Sequence, residues 1–285
     1  MMKIPSLQEL LEAGVHFGHK VSRGNPRMKP FIYGSRDGVH IIDLTISEKF
    51  LREACDFAKE LGQNGKVLLF VGTKKQAQDM VGEAAKKVDA PYLVNHWVGG
   101  FLTNFEEISK NIKRLKELKE AKTQGNLQKY TKKEQLLLDR RMADLQRVFG
   151  GVENLTTLPD VIFVADANKD AGAVREASRI GVKVIAVVDS NADPTLVDFP
   201  IPGNDDAIKS ITILVSAIAT SYGEGKSEAG KVAQKVEAKR KTRPSDGDKA
   251  SVDKEEVLPE EVIEEVTAAE EEIEKKEVAE AERVV

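Results

Sequence analysis

Residues 160 to 189 read DVIFVADANKDAGAVREASRIGVKVIAVVD, with continuous β-branched runs, DVIFVAD (160 to 166) and VKVIAVVD (182 to 189), on either side of a helix-period segment. A strand with one solvated face alternates apolar and polar residues. One buried on both faces does not, as in parallel strands covered by crossover helices. The same pattern extends in both directions, through VHIID (39 to 43), KVLLFVG (66 to 72), PYLV (91 to 94) and DFPIP (198 to 202). The fold class that follows is α/β, a parallel sheet flanked by helices.

Helix starts are marked by capping boxes, in which a hydroxyl accepts from the third backbone N–H and a later Glu or Gln reaches back. Ser6 with Glu9, Thr45 with Glu48, Thr73 with Gln76 and Thr131 with Glu134 have that spacing. The helix after Thr45 is expected to turn Ile46, Phe50, Ala54, Phe57 and Leu61 toward the sheet. The lone cysteine, Cys55, lies in this helix and reads as a small buried apolar residue, which leaves no disulfide.

Between Asn104 and Gly150 the strand signal stops. Two helical segments, with apolar positions Ile108, Ile112, Leu115, Leu118 and Leu138, Met142, Leu145, Phe149, flank the turn TQGNLQKY. This predicts an antiparallel helical hairpin, a coiled coil, inserted at about 104–150 and closed by Gly150 and Gly151 in the left-handed conformation. From about residue 226 the apolar clusters give way to Lys, Glu, Ala and Ser and to the breaker stretch RPSDGDKAS. The expected organisation is therefore an α/β domain over 1–225 and a charged, disordered tail over 226–285.

The net charge of -4 hides a strong partition. Residues 1 to 36 hold six Lys/Arg against two Glu, and residues 110 to 147 hold twelve against five. The rest of the body to residue 225 carries -9, residues 226 to 243 carry +5, and residues 244 to 285 carry -11. A polyanion meets positive patches on an acidic globule. The start, MMKIPSLQELLEAG, has a proline and two glutamates where a signal peptide needs an apolar run, and no segment approaches the ~20 apolar residues of a membrane span. A soluble cytoplasmic protein without membrane partners is expected.

The most informative functional stretch is GVHFGHKVSRGNPRMKPFIYG (14 to 34), which shows neither strand nor helix period. It holds Lys20, Arg23, Arg27 and Lys29 among four glycines and two prolines. Cations on irregular backbone can follow a folded RNA backbone, while Phe17, Phe31 or Tyr33 stack or anchor the loop. His16 and His19 are either phosphate contacts or structural hydrogen-bonding residues. In Val71-Gly72-Thr73-Lys74-Lys75 a glycine, a hydroxyl and two lysines open a helix, an arrangement suited to an anion.

That stretch, together with VHIIDL (39 to 44), FVGTKKQA (70 to 77), WVGGFLTN (97 to 104), YTKKEQ (130 to 135), LPDVIFVAD (158 to 166), VIAVVDSNADP (184 to 194) and IPGNDDAIKSI (201 to 211), resembles the family of the second protein of the bacterial small ribosomal subunit, in order from residue 5 to about 225. The resemblance implies a Rossmann-like or flavodoxin-like sheet with a protruding hairpin, and a structural role rather than catalysis. The implied partners are small-subunit ribosomal RNA and neighbouring ribosomal proteins, including the large RNA-capturing protein one. The RNA-binding candidates are then His16, His19, Lys20, Arg23, Arg27, Lys29, Lys74, Lys75 and Trp97, with Lys113 and Arg114 on the basic face of the hairpin. The chain departs from the family pattern at His96, where an arginine usually precedes the tryptophan.

A competing class is an α/β enzyme that uses strand-end aspartates, Asp43, Asp166, Asp189, Asp205 and Asp206, with His19 to hold a metal or nucleotide. Both GxxxxGK[ST] and GxGxxG are absent, and no Ser/His/Asp order or zinc-hydrolase motif is present. No cofactor, catalytic residue or resident metal is expected.

Overall fold

The computed structural model describes residues 4 to 129 and 131 to 241. The chain runs α1 (Leu7–Glu12), β1 (Phe17–Lys20), β2 (Ile32–Arg36), β3 (Val39–Ile42), α2 (Leu44–Gln63), β4 (Leu68–Val71), α3 (Lys75–Lys87), β5 (Tyr92–Leu93), α4 (Phe105–Thr123), α5 (Lys132–Phe149), β6 (Val161–Val164), α6 (Ala171–Ile180), β7 (Lys183–Val188), β8 (Phe199–Pro202) and α7 (Ile208–Lys241). The last five strands form one parallel sheet in the order β5-β4-β6-β7-β8.

Successive residues of the central strands serve opposite layers, which is why these strands are apolar throughout. Leu68, Phe70, Val161, Phe163, Ile185 and Val187 face the layer of α1, α2, α3 and α7, among Leu10, Leu51, Val81 and Leu214. Leu69, Val71, Ile162, Val164, Val184 and Ala186 face α6 and the base of the hairpin, among Val174, Ile112, Leu115, Leu145 and Phe149. Each large side chain buried this way contributes roughly 1.5–3 kcal/mol. At the sheet centre Phe70 is paired with Phe163, ring centroids 5.4 Å apart.

Helices α4 and α5 run back along one another, with a Lys122–Asp139 ion pair at 2.8 Å toward the turn. Their inner turns are part of the body core. Farther out, Leu118 and Met142 are half-buried, and Leu136 and Leu137 are exposed.

The structure corrects several expectations. VHIID is not a strand of the parallel sheet: β3 is the centre of a separate antiparallel sheet, β1-β3-β2. Its neighbours β1 and β2 come from the stretch read as irregular, because glycines and register shifts conceal their alternation. The boxes at Ser6/Glu9 and Thr131/Glu134 form. Those at Thr45 and Thr73 do not, because aspartates claim the donors: Asp43 caps α2 by accepting from Thr45 N at 2.9 Å, and Thr73 Oγ1 donates to Asp170 at 2.6 Å. The buried stripe of α2 is Ser47, Leu51, Ala54, Cys55, Ala58 and Leu61, rotated from the expected one. Phe50 and Phe57 flank it, packed on Phe31 and Phe199. Gly150 ends α5 in right-handed geometry (φ -59°), and Gly151 is needed for space: a Cβ there would lie 2.2 Å from the Tyr92 carbonyl.

Helix α7 passes through residue 226, where the tail was expected to begin. It crosses α2 backbone to backbone, so that a Cβ on Gly225 would meet Lys59 O at 2.1 Å and one on Gly62 would meet Tyr222 O at 2.3 Å. Beyond the crossing, Lys226 Nζ donates to the carbonyls of Val88 and Asp89, and Glu228 pairs with Lys59 at 2.7 Å. The disorder expected of the tail falls, past Lys241, outside the described residues.

Candidate functional site

The C-terminal ends of parallel strands lie along one edge, where α/β folds place their sites. Here that edge collects Thr73 and Lys74 after β4, Asp166 after β6, Asp189 after β7, and Asp205 and Asp206 after β8. Lys74 Nζ lies 2.7 Å from Asp205 Oδ1, 2.7 Å from Asp206 Oδ1 and 3.1 Å from Asp166 Oδ2. His19, from β1, bridges the cluster, with Nδ1 3.0 Å from Asp189 and Nε2 3.3 Å from Asp206. Asp43 stands apart as the cap of α2.

Burial decides how each group titrates. Asp205, 1% exposed, is pushed up to about 7 by desolvation and by repulsion from Asp166 and Asp189, against the pull of Lys74. Asp206 shares the same lysine, but its side chain is 56% exposed, so the milder desolvation loses to Lys74 and its carboxyl falls below the usual value. Burial disfavours the Lys74 ammonium, yet its bonds to Asp205 and Asp206 outweigh that and raise it. His19 is raised by its hydrogen bond to Asp189. His19, Asp205 and Asp206 each offer one ligand atom, all within 4.8 Å of one another. The Lys74 ammonium already sits on both aspartates, where it supplies the positive charge that a metal would bring.

The basic loop is pinned beside this edge. Met28 is fully buried in the core layer, Asn25 N donates to Ser190 O at 2.8 Å, and His19 N donates to Ser190 Oγ at 2.8 Å. Arg27 reaches Asp193 and Thr195 in the β7–β8 connection. Gly18 and Gly24 permit the close fit, since a Cβ would lie 2.8 Å from Ser190 Oγ and 2.5 Å from His40 Nε2 respectively. The backbone is thereby fixed while Lys20, Arg23 and Lys29 point into solvent.

The sequence candidates thus divide. Lys20, Arg23 and Lys29, with Lys75 on α3 and Lys113 and Arg114 on α4, are exposed, and among the described residues none has a carboxylate partner. Arg27 is exposed but engaged, and His16 and His19 are half-buried. Lys74 and Trp97 have other work. Lys74 neutralises the aspartates instead of opening an anion site, because three carboxylates surround its ammonium. Trp97 is 8% exposed, and its indole donates to Glu176 at 3.1 Å. The sequence reading missed Glu176, which also accepts from the backbone N–H groups of Gly100 and Leu102 and so ties down the loop before the hairpin. Its place on α6 carries no local signal of that role.

A family profile described as "Ribosomal protein S2" matches residues 10–225. The chain belongs to that family. Similar proteins, each named "Small ribosomal subunit protein uS2", include one from Acidobacterium capsulatum, 49% identical over 77% of this chain and 73% of its own length. Another, from Coprothermobacter proteolyticus, is 46% identical over 79% of this chain and 84% of its own. A third, from Picosynechococcus sp., is 44% identical over 79% and 88%. The family is one of ribosomal proteins, not of enzymes, and lends no support to the strand-end aspartates as catalysts. Among the described residues no helix is long and apolar enough to cross a membrane.

Proposed function

We propose that the chain is a structural constituent of the cytoplasmic small ribosomal subunit that binds ribosomal RNA through its N-terminal segment. The observation that carries this reading is the set of exposed, unpaired cations, Lys20, Arg23 and Lys29, on backbone pinned by Met28, Asn25 and Arg27. Cations held in place without carboxylate partners fit a polyanion without first breaking ion pairs. Lys75, Lys113 and Arg114 offer further phosphate contacts, and His16 and His19 shape the loop from beneath. The hairpin and neighbouring surfaces dock adjacent ribosomal proteins, including the large RNA-capturing protein one. The α/β body with its inserted hairpin is the folded domain in this reading, and the charged segment past it is an appendage.

The test is incorporation. Sucrose-gradient fractionation should find the full chain co-migrating with the small subunit, and a Lys20→Gln/Arg23→Gln/Lys29→Gln variant should shift toward the top of the gradient. Normal incorporation of that variant would remove the loop from the RNA interface. The affinity of the wild type for small-subunit RNA should fall steeply with salt.

A further inference from the structure

We infer that the open face of the β1-β3-β2 sheet is a stacking platform for unpaired RNA bases, with Tyr33 at one end as the aromatic that receives a base and Lys20 and Arg36, level with each other toward the other end, as contacts for the phosphates that follow it. This rests on the RNA-binding reading above and adds what the RNA must present there: single-stranded, splayed nucleotides rather than duplex.

The register assembles the face. Lys20 of β1 and Arg36 of β2 are both paired with Val39, and Phe17 and Gly34 are both paired with Ile41. Val39 and Ile41, two residues apart on β3, point the same way, and directly opposed residues share a face. Lys20, Arg36 and Phe17 therefore project together from one side. The other side is closed by the body, with Ile42 1% exposed and Ile32 and Phe31 packed on the core.

Tyr33 stands at a register shift. Ile32 pairs with Ile42 and Gly34 with Ile41, so Tyr33 is an extra residue, and such bulges re-aim a side chain. At 81% exposure it belongs to the open side. Beside it, a Cβ on Gly34 would meet nothing within 4 Å, which leaves room against the ring. The other two aromatics of the segment are committed: Phe31 packs edge-on to Phe50 at 5.6 Å, and Phe17, half-exposed, leans on His16 at 4.0 Å. Lys20 has no carboxylate partner among the described residues. Arg36 has only Asp37, at 3.8 Å with both side chains in solvent, a pairing of little strength. An exposed aromatic at one end of an antiparallel sheet, with two exposed cations level with each other toward the other end, suits a base and the phosphates that follow it. A protein segment would gain nothing from those cations unless it were acidic.

The experiment titrates the full chain with a short single-stranded RNA carrying 2-aminopurine, and in parallel with a duplex of the same sequence. Binding of the single strand should quench the 2-aminopurine. Tyr33→Leu should weaken that binding roughly 5- to 150-fold, the range for loss of one aromatic–base stack, and leave the duplex unaffected. Tyr33→Phe should bind like the wild type, because stacking needs the ring and not the hydroxyl. Tyr33→Leu should keep the wild-type salt slope, whereas Lys20→Gln and Arg36→Gln should each lower it by about 0.7. Wild-type affinity and quenching in Tyr33→Leu would overturn the inference. So would a loss of small-subunit incorporation with unchanged RNA affinity, which would make the face a protein contact. If the Lys20/Arg23/Lys29 variant loses RNA while Tyr33→Leu does not, stacking fails and the RNA-binding reading stands; if the wild type binds no RNA, both fail.

Discussion

The strand-end cluster and the basic loop beside it are built from the same kinds of residue put to opposite uses. At the strand ends Lys74 is enclosed by Asp166, Asp205 and Asp206, and its charge is taken up within the protein. In the loop, Lys20, Arg23 and Lys29 have no acidic partner among the described residues, and the anchoring falls to Met28, Asn25 and Arg27. The difference teaches that a lysine in a family motif says little until its surroundings are known. One set of cations stabilises the fold, and the other is available to a partner.

The sharpest way to break this contrast is Lys74→Met. It leaves three carboxylates facing one another without the lysine between them, and removal of one partner from such a buried set costs on the order of 3–5 kcal/mol. Urea unfolding should show it, and adding Asp205→Asn should recover part of the loss; full additivity of the two would mean that the groups do not interact.

Met28→Ala tests the other region. It removes the loop's buried anchor at a cost of about 2–3 kcal/mol, and amide exchange across 21 to 31 should accelerate while the sheet stays protected. Unchanged exchange would show that the loop is held by something else.

A pH series distinguishes the two regions further. Asp205 is pushed up to about 7 and His19 is raised from 6.5, so around neutral pH the folded protein holds protons that the unfolded chain has released. Their contribution to stability is therefore largest on the acid side; that of Asp205 is lost as pH rises from about 4 through about 7, and that of His19 as pH rises above 6.5. The melting temperature should fall across that window, and Asp205→Asn should flatten the fall. An equal slope in the variant would assign the effect elsewhere.

The smallest effect on stability belongs to Lys20→Gln/Arg23→Gln/Lys29→Gln, where each exposed substitution should stay within about 0.5 kcal/mol. Binding should nevertheless change. Fewer phosphate contacts should lower the salt slope for duplex RNA by up to about 0.9 per cation lost.

The parallel sheet was legible because a short, continuous apolar run bounded by turn residues suits a strand covered on both faces, and helices α4 and α5 because their three- and four-residue apolar steps run long. The antiparallel sheet was not. Within 14 to 34 the glycines that let the chain pass Ser190 and His40 also erase its alternation. Two of the four hydroxyl caps failed because Asp43, two residues before Thr45, and Asp170, brought to Thr73 by the fold, take up their donors. Exposed cations were found from charge alone. The contacts of Lys74 and Trp97 were not legible because their partners, Asp205 and Glu176, lie 131 and 79 residues away in the chain.

Strand β8 has a consequence for the protein before it meets the ribosome. Pro200 and Pro202 pair with Ala186 and Val188 at the margin of the sheet, and the amide that faces inward belongs to the odd series, as Gly203 N on Val188 O shows. The prolines thus remove the outward N–H groups that a stray strand would grip, and at the opposite margin β5 is only two residues long. A newly made chain carries a sheet that neighbouring copies cannot readily extend, which favours its incorporation into the small subunit over aggregation.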